Sequence, residues 1–133
     1  MAAAIERRVD AELVGEWQVP LASFDVLAAL QRSGGRSRPG DLADGLRLSP
    51  SSLSRRIDRL EEEGWVARTR PAKRTDHRAV VLELTPRGRA LWRAMNVTYR
   101  RAIDRLVSSR LADDDVGELR RVVGLVDPHG EVG

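Results

Sequence analysis

Between positions 49 and 60 the chain intersperses Ser49, Ser51, Ser52, Ser54, Arg55, Arg56 and Arg59 with the apolar residues Leu53, Ile57 and Leu60. Apolar spacings of four and three define one stripe of a helix, so the hydroxyl and guanidinium groups fall on its polar side together with Asp58. Short hydroxyls and forked cations in the first two turns of a helix suit the base edges of a DNA major groove. The connection at 71–78 adds Lys73, Arg74, His77 and Arg78, a basic loop able to reach phosphates or a minor groove beside that helix.

The neighbouring residues supply the supports. Leu42, Ala43, Leu46 and Leu48 share a face of a preceding helix, and Pro39 near its start has a fixed φ compatible with helix entry. Ser49-Pro50 restarts the chain, because a serine hydroxyl accepts an orphan backbone N–H and proline has none to leave unpaired. Gly64 tolerates the positive φ that ends a helix. Beyond it the period becomes two: Val80, Leu82 and Leu84 alternate in a strand over 79–84, and 65–70 offers a partner strand. Two helices joined by a tight turn and followed by a basic hairpin make a winged helix-turn-helix. The fold class is mainly α with a small β-hairpin wing (α+β).

The ends of the chain read as helices of assembly. Ile5, Val9, Leu13 and Trp17 recur every fourth residue, a stripe that wants a partner. Thr85-Pro86 opens a long helix with Leu91, Met95, Ile103 and Leu106 among its apolar positions, and Asp113-Asp114-Asp115 begins a last helix whose apolar side is Val116, Leu119, Val123 and Val126. A long helix projecting from a small winged lobe is expected to bury its stripe by pairing with a second copy. The expected organisation is a single domain over 1–133, with a DNA-binding lobe at about 20–86 and a helical dimerisation region at about 1–19 and 87–133. Two-fold pairing of recognition helices matches half-sites about one helical turn, 10–10.5 base pairs, apart.

Charge agrees with this layout. The net charge is +3 over 133 residues, but positions 31–80 hold 12 basic against 7 acidic residues while the remainder holds 11 against 13. The basic excess lies where DNA is expected. Because 22 of the 23 basic residues are arginine, their position on the helix and wing is more telling than their number. Glu61-Glu62-Glu63 reads as a solvated face that keeps the far end of the helix off phosphates.

The segments Asp41-Leu42-Ala43, Leu48-Ser49-Pro50-Ser51-Ser52-Leu53-Ser54-Arg55, Ile57-Asp58-Arg59-Leu60-Glu61, Gly64-Trp65-Val66, and Asp76-His77-Arg78-Ala79 leading to Leu84-Thr85-Pro86-Arg87-Gly88 resemble the MarR family of bacterial transcription regulators. The resemblance runs over essentially the whole chain in order of elements, with its specific motifs between positions 41 and 88. It implies a homodimer on pseudo-palindromic double-stranded DNA, usually a repressor relieved by a small molecule or an oxidant. Carried over by position, Arg78 resembles the wing arginine that enters the minor groove and Asp76 the carboxylate that orients it. A guanidinium held by a carboxylate loses less entropy on insertion. His77 departs from the family pattern and leaves the wing's charge slightly sensitive to pH.

With no cysteine in the chain, thiol-based sensing is excluded, and two distant histidines argue against a zinc site. No metal or cofactor is expected. Glycine-rich phosphate loops, Gly-x-Ser-x-Gly and His-Glu-x-x-His are absent, which argues against an enzyme. The lack of a long apolar run or signal-like leader suggests a cytoplasmic protein without a membrane partner. The resemblance suggests an effector pocket between the helical and winged regions, for which Trp17, Phe24 and Trp92 are the large side chains at hand; aromatic walls suit apolar or phenolic ligands. The rival reading is a winged-helix module that holds protein, for which a less basic helix face and a wing lacking Asp76-His77-Arg78 would be expected.

Overall fold

The computed structural model describes residues 2–69 and 80–113. Its order is α1 (Ala2–Trp17), α2 (Leu21–Arg32), β1 (Arg36–Ser37), α3 (Pro39–Leu46), α4 (Pro50–Glu62), β2 (Val66–Thr69), β3 (Val81–Leu84) and α5 (Pro86–Asp113). The three strands form one antiparallel sheet in the order β1-β3-β2, with Val66 opposite Leu84 and Arg36 opposite Glu83. The hairpin strands expected from the alternating pattern are present; β1 is an addition. It forms because Gly34 and Gly35, at φ +78° and +91°, turn the chain back so that the Gly35 carbonyl accepts from Leu84 N at 2.8 Å. Asp113, expected to begin a last helix, is the final residue of α5, and the rest of that helix together with the wing residues 70–79 lies outside the described residues.

Helices α3 and α4 start as their residues require. Pro39 and Pro50 each occupy a first helical turn, and Ser49 Oγ accepts from Ser52 N at 3.2 Å. Between them Arg47 takes a left-handed conformation at φ 56°, which closes the turn. The α4 stripe of Leu53, Ile57 and Leu60 is at most 2% exposed, and each of these side chains stabilises the lobe by about 2 kcal/mol through burial. Leu42 and Ala43 of α3, Val66 of β2 and Leu82 and Leu84 of β3 complete that part of the core.

The α1 stripe finds its partner inside the same chain. Val9 and Leu13 are buried, and Ile5 and Trp17 pack against the core, so this stripe by itself does not demand a second copy. Polar contacts fix α1 on α5. The Trp17 indole N–H donates to Thr98 Oγ1 and the Thr98 hydroxyl donates to Glu16 Oε2, both at 2.9 Å, while Arg105 pairs with Glu12. Thr98 is buried, so Thr98→Val strips two partners from their hydrogen bonds and is expected to cost about 1–2 kcal/mol, read as an earlier denaturant midpoint with an unchanged slope. Among the described residues, Val14 on α1 and Val97 on α5 are the exposed large hydrophobics.

Candidate nucleic-acid interface

Helix α4 carries its hydrogen-bonding groups outward because its apolar stripe fixes the rotation. Ser51, Ser54, Arg55, Asp58 and Arg59 are exposed and Ser52 is half-buried. Ser49 Oγ lies 3.3 Å from Ser51 Oγ and donates to Ser52 Oγ at 3.0 Å, so the helix begins in a cluster of hydroxyls. Arg55 stands one turn beyond Ser51, and Arg59 one turn further, on a continuous ridge. Among the described residues neither arginine makes an ion pair closer than 4 Å. Two guanidinium forks thus face solvent from a helix about 20 Å long.

Arg56 differs from the other two. It is half-buried and turned towards α2, where its Nη1 donates to the Ala22 carbonyl at 3.4 Å. Sequence periodicity groups Arg56 with the polar face and cannot distinguish a solvent-facing position from one flanking a neighbouring helix. Lys73, Arg74, Asp76, His77 and Arg78 lie outside the described residues. The base of the wing is held by Arg68 of β2, which donates to Asp58 at 3.3 Å and stands 3.8 Å from Glu61. That contact ties β2 to α4; Arg68 lies two residues beyond buried Val66 and opposite buried Leu82, so it shares their face of the sheet, and the period of two from Val66 is the sequence signal for it.

Among the described residues, α4 borders a cleft on each of two sides. The first, about 370 Å³, is bordered by Glu6, Arg7 and Asp10 of α1, Asp25 of α2 and Arg56 of α4. Burial pushes the Asp25 carboxyl above its ordinary value of 3.8; Arg56 opposes the shift, Glu6 adds to it and Arg32 opposes it. The folded chain therefore keeps this proton to higher pH than the unfolded chain. The resulting stability is complete below the ordinary value and is lost as pH rises through the raised one. Asp25→Asn is accordingly expected to stabilise the protein at neutral pH, with the difference from wild type vanishing in acid, measured as denaturant midpoints across pH. The second cleft, about 320 Å³, lies among Pro39, Ala43, Leu53, Ile57, Arg68 and Leu82.

Trp17, Phe24 and Trp92 border neither cleft. Phe24 is buried and stacks on Tyr99 with ring centroids 4.9 Å apart, and Trp17 is engaged with Thr98. The Trp92 indole N–H is buried with no hydrogen-bond partner among the described residues.

Comparison with known proteins decides what this arrangement belongs to. The model of the MarR family matches residues 17–79. The chain is 31% identical over 127 residues to the HTH-type transcriptional regulator PecS of Dickeya dadantii (strain 3937), covering 94% of this chain and 74% of PecS. The chain belongs to the MarR family. Among solved structures, the wild-type apo form of MarR from E. coli is 25% identical with a TM-score of 0.76, covering 94% of this chain and 89% of that one. A cysteine-to-serine variant of MarR from E. coli complexed with operator DNA is 25% identical with a TM-score of 0.72, covering 94% and 86%. As a MarR-family winged-helix regulator, the chain has relatives that are transcription regulators rather than enzymes. No single helix among its described residues is long and apolar enough to cross a membrane.

Proposed function

We propose that this chain is a homodimeric transcription repressor of the cytoplasm that reads pseudo-palindromic operators. The observation that carries the reading is the exposed ridge Ser51, Ser54, Arg55 and Arg59 on α4, with two cations unengaged by any described carboxylate. In this reading the first two turns of α4, with Ser49 and Ser52 at their start, enter the major groove. Lys73, Arg74 and Arg78, with His77 and the orienting Asp76, serve the adjacent backbone and minor groove. Arg56 supports the helix from behind. Residues at about 20–86 form the reading lobe, and the terminal helices form the pairing region. Pairing is supported by Val14 and Val97, which stay exposed on the two helices that pack together through Trp17 and Thr98.

Relief by a small apolar or phenolic molecule is part of the same reading; besides the region of Trp17, Phe24 and Trp92, the clefts next to α4 offer it room. The cleft under Leu53 and Ile57 is walled largely by aliphatic groups and is near the lower size limit of small-molecule sites. A ligand there acts only by preferring one placement of α4 over another.

Selection from random duplexes with the full chain tests the proposal. The expected product is an enriched inverted repeat with centres about 10–10.5 base pairs apart, protected by two protomers. Absence of sequence enrichment would overturn it in favour of a protein-binding winged helix.

A further inference from the structure

The segment Leu84-Thr85-Pro86-Arg87-Gly88 is where three elements meet through their backbones. Thr85 N donates to the Trp65 carbonyl at 3.1 Å, and the Thr85 hydroxyl donates to the Gly64 carbonyl at 2.7 Å while accepting from Gly88 N at 3.0 Å. On the other side, Gly64 N donates to Glu61 O and Trp65 N to Leu60 O, each at 3.0 Å, with Gly64 at φ +79° closing the end of α4. A Cβ on Gly88 would fall 2.0 Å from the Trp65 carbonyl oxygen, so the first turn of α5 lies directly on the start of the wing. The end of α4, the entry to β2 and the start of α5 are thus one block.

Side-chain packing lets helices slide or tilt by small amounts, whereas a network of backbone hydrogen bonds at a shared corner resists both. We propose that the Thr85–Gly88 corner is the joint that fixes the angle of α4 against α5, making Thr85 a positioning residue that sets which half-site spacing the dimer accepts. The inference rests on the dimeric operator reading above. In a symmetric dimer α5 belongs to the pairing region, so the angle at this corner determines the separation and rotation of the two reading helices. One inserted base pair moves a half-site by about 3.4 Å along the duplex and about 35° around it. A stiff joint cannot follow that displacement; a loosened one can.

Two substitutions separate the joint from ordinary helix capping. Thr85→Ser keeps a hydroxyl for both Gly64 and Gly88. Thr85→Asp keeps an acceptor for the Gly88 N–H, as helix caps require, but has no proton to donate to the Gly64 carbonyl. The probes are duplexes carrying the symmetric site selected by the wild type, the same site with one central base pair added or removed, and a duplex with a single half-site. Wild type and Thr85→Ser are expected to lose at least about tenfold in affinity when the spacing changes, and Thr85→Asp less than about threefold, with single half-site affinity within about twofold of wild type. Circular dichroism establishes that each variant is folded at the assay temperature, and Thr85→Ala, lacking both bonds, replaces Thr85→Asp in the comparison if the latter is not. Spacing dependence as sharp in the variant as in wild type overturns the joint and leaves the operator reading standing. Wild-type binding indifferent to spacing overturns the dimeric reading itself.

Discussion

Gly88→Ala is expected to unfold roughly 10 °C below wild type, a loss of about 3 kcal/mol. In an ordinary helix the same change stabilises, because glycine costs up to about 1 kcal/mol relative to alanine. At position 88 that preference is overruled by contact. The added methyl would meet the Trp65 carbonyl oxygen at 2.0 Å, its carbon at 2.9 Å and Leu84 Cδ1 at 3.0 Å. The first two are backbone, already committed through the hydrogen bond from Thr85 N, and cannot rotate aside. Gly15 in α1 is the internal control, since nothing lies within 4 Å of its missing Cβ. Gly15→Ala is expected to raise stability by up to about 1 kcal/mol. Calorimetry of the two variants checks both signs, and a Gly88→Ala protein as stable as wild type would refute the packing described at this corner.

Arg55→Ala is expected to weaken binding to the selected operator by at least about thirtyfold while leaving thermal stability nearly unchanged. A bidentate arginine contact to a base contributes about 1–3 kcal/mol of discrimination, and a symmetric dimer loses it twice. Because Arg55 is exposed and makes no ion pair among the described residues, its removal takes little from the fold. The loss is expected to be specific: competition with scrambled duplex should show that affinity for unrelated sequence falls far less. Arg78→Ala serves as the contrast, expected to weaken binding more evenly across sequences. Equal affinity of Arg55→Ala and wild type for the operator would remove Arg55 from the reading surface.

Much of the lobe was legible because its signals are local. Ser49-Pro50, the Leu53, Ile57, Leu60 stripe, Gly64 and the alternation into Leu84 each act within a turn or a strand, and each appears in the fold as read. What depends on distant neighbours was not legible. Helix α2 buries Ser23, Phe24 and every residue from Val26 to Leu30, so it has no polar face to give a period. Strand β1 is two residues, Arg36 and Ser37, with no β-forming character of their own; β3 supplies the pairing that makes them a strand. The inward turn of Arg56 and the clamp of Arg68 on Asp58 depend on which element comes to lie beside them, as does the capture of the α1 stripe by its own chain. Aromatic residues mark bulk wherever it is needed, which is why Phe24 reads equally well as a pocket wall or as the ring that stacks on Tyr99.

In the proposed function the α4 ridge is a DNA surface presented twice by a symmetric pair. Titrating the wild-type chain against its selected duplex over a range of salt concentrations tests it most directly, with stoichiometry measured in the same series. Two protomers per duplex are expected, with an affinity that falls linearly on logarithmic axes at a slope of about −0.9 for each phosphate neutralised and several phosphates engaged. Binding that ignores salt, or no binding to duplex DNA at all, would contradict it.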